Sequence, residues 1–258
     1  MRAAQRASAR RLALGTAFVA LVAACTEIPT GADKVLSVEL GGLASPAVVV
    51  GDTLRDTTGA PAPLRPLAFN FRGDTVAGAA FRFRAVDRGV TVDSVLGFVV
   101  GDSVRATPAR IAATLGNLQA FIPVFVSRRP DTVVTAKAGD TLLYSLTDTT
   151  KNTSSALSVI VRHSLTATDS TVNGWLVSFA VTYPADTAFV RLVDDRGSAS
   201  HVDTTDASGS AGRRIKMNAL RLSAINDSVV VLASAKYRGA YVRGSPIRLV
   251  LVLRPATP

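Results

Sequence analysis

Cysteine occurs once in this chain of 258 residues, tryptophan once and histidine twice. A single thiol closes no disulfide within the chain, and two histidines with one cysteine cannot fill a closed zinc site. The N-terminal apolar run Leu12–Leu21 is only ten residues long, against the roughly 20 that a membrane-crossing helix requires. No basic run interleaved with aromatics is present, which argues against nucleic acid as a partner. Also missing are a phosphate-cradling glycine loop, a paired-carboxylate signature and a serine bracketed by glycines in a strand-turn-helix setting. The expectation is therefore a non-enzymatic protein with no catalytic residues, no metal and no cofactor. Its stability must come from apolar burial, for which the length is ample.

What is present begins with a targeting segment. Arg2, Arg6, Arg10 and Arg11 precede the apolar run, and small residues Ala23 and Ala24 stand just before Cys25. Residues 1–24 read as a signal peptide. The run Val22-Ala23-Ala24-Cys25 resembles the lipobox of bacterial lipoproteins. That resemblance implies cleavage before Cys25, diacylglycerol on its thiol and acylation of its new amine. Stable membrane attachment needs at least two acyl chains, and this modification supplies three. Thr26, rather than aspartate, follows Cys25, which under the resemblance implies the outer rather than the inner membrane. Removing the signal lowers the formal charge from +10 to +6, suited to a solvated surface or to attraction toward anionic envelope polymers.

After a polar tether, 25–33, period-two patterning dominates. Phe69 and Phe71 alternate with Asn70 and Arg72; Phe81, Phe83 and Ala85 alternate with Arg82 and Arg84; Ile247, Leu249, Leu251 and Leu253 share one side. Such alternation is what half-buried strands require. Gly-Asp-Thr/Ser-aliphatic quartets recur at Gly51, Gly73, Gly101 and Gly139, with a variant at Asn226, and read as turns in which glycine supplies a positive φ. Gly116-Asn117 reads as a two-residue hairpin turn between Arg110–Leu115 and Leu118–Val126. The polar run 147–155 is expected to link two domains, 34–146 and 156–254. The fold class is all-β: two tandem immunoglobulin-like β-sandwiches.

The second domain carries a further family resemblance. Gly174-Trp175-Leu176-Val177-Ser178-Phe179, then Thr205-Asp206-Ala207-Ser208-Gly209-Ser210-Ala211, then Val229–Ala235 follow in order. This is similar to the bacterial immunoglobulin-like domains of invasin and intimin type, and the first domain resembles that wider group weakly. The resemblance implies a stalk, spacer or adhesive module.

Trp175 shares its strand side with Val177, Phe179, Val181 and Tyr183 and is expected in the core rather than as a sugar platform. His163 and His201 are expected to be solvated. Asp194, Asp195, Asp203 and Asp206 lie near Arg191, Arg196, Arg213 and Arg214 and read as charge pairs flanking turns rather than a calcium site. Tyr237, Arg238, Tyr241 and Arg243 are the candidates for polymer binding. The resulting expectation is a membrane-anchored spacer or protein-binding module of the cell envelope. The alternative is a module that binds carbohydrate or an anionic polymer. The membrane, reached through the lipid, and an envelope protein or polysaccharide are the expected partners.

Overall fold

The computed structural model describes residues 31, 34–148, 150, 152–164, 170–185, 189–218 and 227–256. Cys25, the signal peptide and nearly all of the tether lie outside the described residues. The described residues fall into two compact units, one holding those up to Ser37 together with Ala68–Ala79, the other Val38–Leu67 together with those from Ala80 onward.

Within the smaller unit, the Leu36 N–H donates to the Phe69 carbonyl at 2.8 Å, and a tight loop follows. The Asn70 side-chain oxygen accepts from the Arg72 and Asp74 N–H groups at 2.9 and 3.0 Å, and Gly73 adopts φ +82°. The side-chain amide oxygen thus stands in for a backbone acceptor, as asparagine does in turns. Extended structure stops at Phe69, and Phe71 is exposed.

The larger unit is all-β. Its N-terminal half carries β1 (Ser37–Leu40), β2 (Ala47–Val49), β3 (Pro66–Phe69), β4 (Arg82–Ala85), β5 (Val90–Val92), β6 (Val99–Gly101), β7 (Ala109–Leu115) and β8 (Leu118–Ser127), of which β1 and β3 run over into the smaller unit. The β7–β8 hairpin turns at Gly116-Asn117, with Leu115 opposite Leu118 and Gly116 at φ +57°. A four-stranded sheet runs β2-β8-β7-β4, with β2 parallel to β8. The facing layer is small: the β5–β6 ribbon, extended by two isolated bridges, Val50 to Gly101 and Thr53 to Val100. Phe83, Val90, Val99, Ile111, Val124 and Val126 fill the space between them.

The C-terminal half begins with β9 (Thr132–Lys137) and β10 (Gly139–Tyr144), followed by β11 (Leu157–His163), β12 (Ser170–Thr171), β13 (Leu176–Tyr183) and β14 (Val190–Val193). Then come β15 (Val202–Thr204), β16 (Ser210–Met217), β17 (Ser228–Ser234), β18 (Lys236–Tyr237), β19 (Ala240–Tyr241) and β20 (Ile247–Pro255). One sheet runs β10-β20-β17-β13-β15, and the other runs β9-β11-β16-β14 with β12 also on β11. The second order matches the A-B-E-D arrangement of an immunoglobulin sandwich, and β20-β17-β13 matches its G-F-C face. Alternation places Leu249, Leu251 and Leu253 inward from β20 against Leu157, Val159 and Val161 from β11. Residues 147–155 join β10 to β11, both strands of this half, and Asn152 is fully buried within that run. Its side chain accepts from the Ser145 N–H at 2.7 Å and donates to the Ser145 carbonyl at 2.8 Å, so its polarity is satisfied locally.

The recurring Gly-Asp quartets divide into two classes. Gly51 and Gly73 adopt φ +75° and +82°, as turns require. Gly101 and Gly139 lie in strands without positive φ. There the glycine permits close approach instead: a Cβ would stand 2.8 Å from the Val49 carbonyl oxygen at Gly101 and 3.1 Å from that of Val250 at Gly139. Asn226, in the variant quartet, lies outside the described residues.

Candidate functional site

Strand β2 holds the two halves of the larger unit together. Its three residues, Ala47-Val48-Val49, are all buried. Val48 belongs to the N-terminal core, whereas Ala47 and Val49 pack into the C-terminal core with Trp175, Val177 and the β20 leucines. A strand buried on both faces has no polar side, which explains its continuous apolar run. Nearby, Gly174 lies at φ +76° with the position of a Cβ only 2.4 Å from Phe125 Cγ. The Ser127 hydroxyl donates to the Asn173 carbonyl.

Asp52 stands at the centre of this joint, with 7% of its surface exposed. Its Oδ1 accepts from the Thr53 N–H and Arg55 Nη2, each at 2.9 Å. Its Oδ2 accepts from Arg55 Nε at 3.0 Å, from the Tyr237 hydroxyl at 2.9 Å and from Arg238 Nε at 3.0 Å. Burial by itself would raise the carboxyl. The charge-assisted bonds from Arg55 and Arg238, with those from Tyr237 and the Thr53 N–H, outweigh it and hold Asp52 well below the usual carboxylate range. Burial, followed by the adjacent Asp52 charge, pushes the Tyr237 hydroxyl above its ordinary value.

The other side of the joint is a tight hairpin. Tyr237 pairs with Ala240, leaving Arg238-Gly239 as a two-residue turn with φ +51° and +80°. Positive φ at both positions is the type I′ geometry that matches strand twist. Arginine is an uncommon residue there, and the Asp52 carboxylate holds it in place. The loop carrying Gly59 meets this turn backbone to backbone. A Cβ on Gly59 would lie 2.3 Å from the Arg238 carbonyl carbon, and one on Gly239 2.4 Å from the Thr58 oxygen.

Aromatic and cationic groups complete the arrangement. The Tyr237 ring meets Trp175 edge to face, centroids 6.0 Å apart, and the guanidinium groups of Arg238 and Arg129 lie 5.4 and 5.7 Å from the Tyr237 centroid. Trp175 is buried as its strand side requires. Its N–H donates to Thr205 Oγ1 at 2.8 Å, and that hydroxyl donates to the Val172 carbonyl at 2.6 Å. The indole Nε1 is buried with no acceptor among the described residues.

The four candidate polymer-binding residues therefore occupy different environments. Tyr237 and Arg238 are engaged by Asp52. Tyr241 is 57% exposed, with Lys236 Nζ resting 4.9 Å from its ring centroid. Arg243 is exposed and donates to Thr132 Oγ1 at 3.3 Å. The first three, but not Arg243, line a cleft of about 550 Å³ beside the joint, together with Asp52, Arg55, Thr58, Trp175 and Lys236. Its volume falls within the range of small-ligand sites.

The remaining polar candidates have structural partners. His163 is not simply solvated, as its place at a strand end had suggested: Nδ1 lies 2.7 Å from Asp131 Oδ2 and 2.9 Å from the Arg129 carbonyl. Asp131 also pairs with Arg129 at 2.9 Å, so this cluster fastens the segment joining β8 to β9. His201 is exposed. Asp194 and Asp206 accept backbone N–H groups within their own turns. Asp203 pairs with Arg213 at 2.9 Å, and Asp195 with Arg214 at 3.3 Å. Among the described residues, no group of three or more His, Cys, Asp or Glu is gathered as metal ligands.

No family model and no curated protein matches this sequence. Among solved structures, the S-layer protein rSbsC(31-844) has 11% identity and a TM-score of 0.31 over 88% of this chain. This chain spans 29% of that protein's length. Human protocadherin-24 EC1-2 has 11% identity and a TM-score of 0.26, with 87% of this chain and 100% of that chain covered. Alpha-2-macroglobulin of E. coli has 15% identity and a TM-score of 0.34, with 89% and 15% covered. The immunoglobulin-like architecture rests here on strand order and pairing within the chain itself.

Proposed function

We propose that this chain is a bacterial lipoprotein, acylated at Cys25, that displays two immunoglobulin-like sandwiches at the cell envelope as a non-enzymatic spacer or protein-binding module. In this reading the N-terminal sandwich ends near Ser127 and the C-terminal one starts near Thr132, with β9 and β10 as its first strands. The C-terminal sandwich is of the invasin and intimin type, and the anchor lies in the outer membrane. The observation that carries the reading is the joint: β2 shared between two cores and locked through Asp52. A fixed joint suits a module whose task is to hold something at a set reach. The N-terminal lipobox supplies the attachment.

Fractionation of cells producing the full chain, with metabolic lipid labelling, tests the anchor. The wild-type protein is expected in the membrane fraction carrying label, and Cys25→Ser is expected to lose both. A Cys25→Ser protein that stayed labelled and membrane-bound would overturn the proposal. A second reading, binding of a carbohydrate or anionic polymer, is favoured by one observation, the cleft that places Trp175, Tyr237 and Tyr241 beside cationic side chains.

A further inference from the structure

We infer that the cleft at the joint binds an acidic saccharide chain, through Tyr241 as a stacking surface and Lys236 as the partner of the saccharide's carboxylate; this inference rests on the second reading above. Three features of the cleft carry it. The first is the ring of Tyr241, 57% exposed on a hairpin whose turn is clamped by Asp52 and abuts the Gly59 loop. A large aromatic presented on a rigid support is pre-organised to receive an apolar face at little entropic cost. The faces of sugar rings, lined with C–H groups, are such surfaces.

The second feature is the supply of neutral hydroxyls. Ser45, Thr57, Ser178 and Ser234 all line the cleft. Each hydroxyl both donates and accepts, which matches the hydroxyls of a saccharide, themselves donors and acceptors at once.

The third feature is charge. Three cations, Arg55, Lys236 and Arg238, face two carboxylates, Asp52 and Asp56. Arg55 and Arg238 are both committed to Asp52. Asp56 is committed to its own turn, accepting from the Thr58 hydroxyl and the Thr58 and Ala60 N–H groups. Lys236 has no carboxylate partner among the described residues; its ammonium rests against Tyr241 alone. One spare cation beside one open ring fits a repeat carrying a single carboxylate per sugar. It does not fit the dense charge of a phosphate polymer, which calls for several cations.

The test is titration of the full chain with oligogalacturonate, followed by calorimetry and by the fluorescence of Trp175, which is the only tryptophan and lines the cleft. A saturable change is expected, weakening as salt is raised. Tyr241→Ala and Lys236→Ala are each expected to weaken binding about tenfold, and neutral cello-oligosaccharides to bind about tenfold less tightly than oligogalacturonate. Both residues are exposed, and far-UV circular dichroism checks that the variants keep their fold. Equal binding of the neutral chain overturns the acidic assignment while leaving polymer binding standing. Oligogalacturonate binding undiminished in both variants places the polymer elsewhere and overturns the cleft. Tighter binding of polyglutamate than of oligogalacturonate overturns the saccharide in favour of an acidic peptide. Absence of binding to all of these overturns both the inference and the reading beneath it.

Discussion

The two sandwiches begin alike and end differently. Each has its second strand running parallel to its last, followed inward by two antiparallel neighbours: β2-β8-β7-β4 in one, β10-β20-β17-β13 in the other. The C-terminal sandwich closes that sheet with a full second layer, whereas the N-terminal one has the β5–β6 ribbon and two isolated bridges. Among the described residues, 25 buried side chains form the C-terminal core and twelve the N-terminal core. Two of the 25, Ala47 and Val49, come from the N-terminal sandwich's own β2. The smaller sandwich therefore leans on its neighbour: two of the three residues of its β2 are buried in the other core.

That asymmetry can be broken by truncating each core. Ile215 and Ile111 are both fully buried, and replacing either with alanine is expected to cost about 3–4 kcal/mol. The consequences should differ in extent. Ile215→Ala should reduce hydrogen-exchange protection in β17 and also in β2 and β8, whereas Ile111→Ala should reduce it only in the N-terminal strands. Unchanged protection of β8 in Ile215→Ala would contradict the dependence. A somewhat smaller effect, about 2–3 kcal/mol, is expected from Asp52→Ala, which strips a common acceptor from Arg55, Tyr237 and Arg238. The loss is moderated because Arg238 retains access to water. Calorimetry should then show one unfolding transition splitting into two.

Acid sharpens the same contrast. The Asp87 carboxyl is lowered to about 2 by the Arg110 guanidinium and backbone N–H, and Asp52 is held lower still. Both are depressed on folding, so both stabilise above the unfolded carboxyl value of about 4 and lose that contribution as pH falls through the folded value. The stability difference between wild type and Asp87→Asn should vanish by about pH 2, while that for Asp52→Asn should persist to lower pH. Acid-unfolding curves of the two variants decide this. The smallest effect is expected at Trp175→Phe, about 1–2 kcal/mol from lost packing, because the indole N–H has no acceptor among the described residues. A loss of several kcal/mol, measured by denaturant unfolding, would mean that the Nε1 proton is bonded.

Much of the C-terminal sandwich was legible in the sequence because its strands have one wet and one dry face. The inward leucines of β20 and the buried side of β13 follow from period, and in the N-terminal sandwich the Gly116-Asn117 hairpin follows from turn chemistry. The joint was not legible, for reasons that are physical. Ala47-Val48-Val49 is buried on both faces and so lacks the alternation that marks a strand's orientation. Asp52 sits in a quartet that reads as a local turn, yet its partners Tyr237 and Arg238 lie 185 and 186 residues away. The polar run 147–155 looked like a solvated linker because its composition cannot reveal that Asn152 bonds back to Ser145 in the interior. Tyr237 and Arg238 stand in the sequence as aromatic and basic candidates for polymer binding, and nothing in their spacing announces a carboxylate across the joint.

The parallel pairing of β10 with β20 bears on how this protein can be divided. Gly139–Tyr144 runs beside Val250–Pro255 along the outer side of β20, and β9 lies beside β11. A fragment started at Ala156 would lack both strands and present two bare rows of backbone donors and acceptors, one on each sheet. Bare edges of that kind recruit other chains. Such a fragment should precipitate or assemble, whereas one started a few residues before Asp131 would keep its flanks covered.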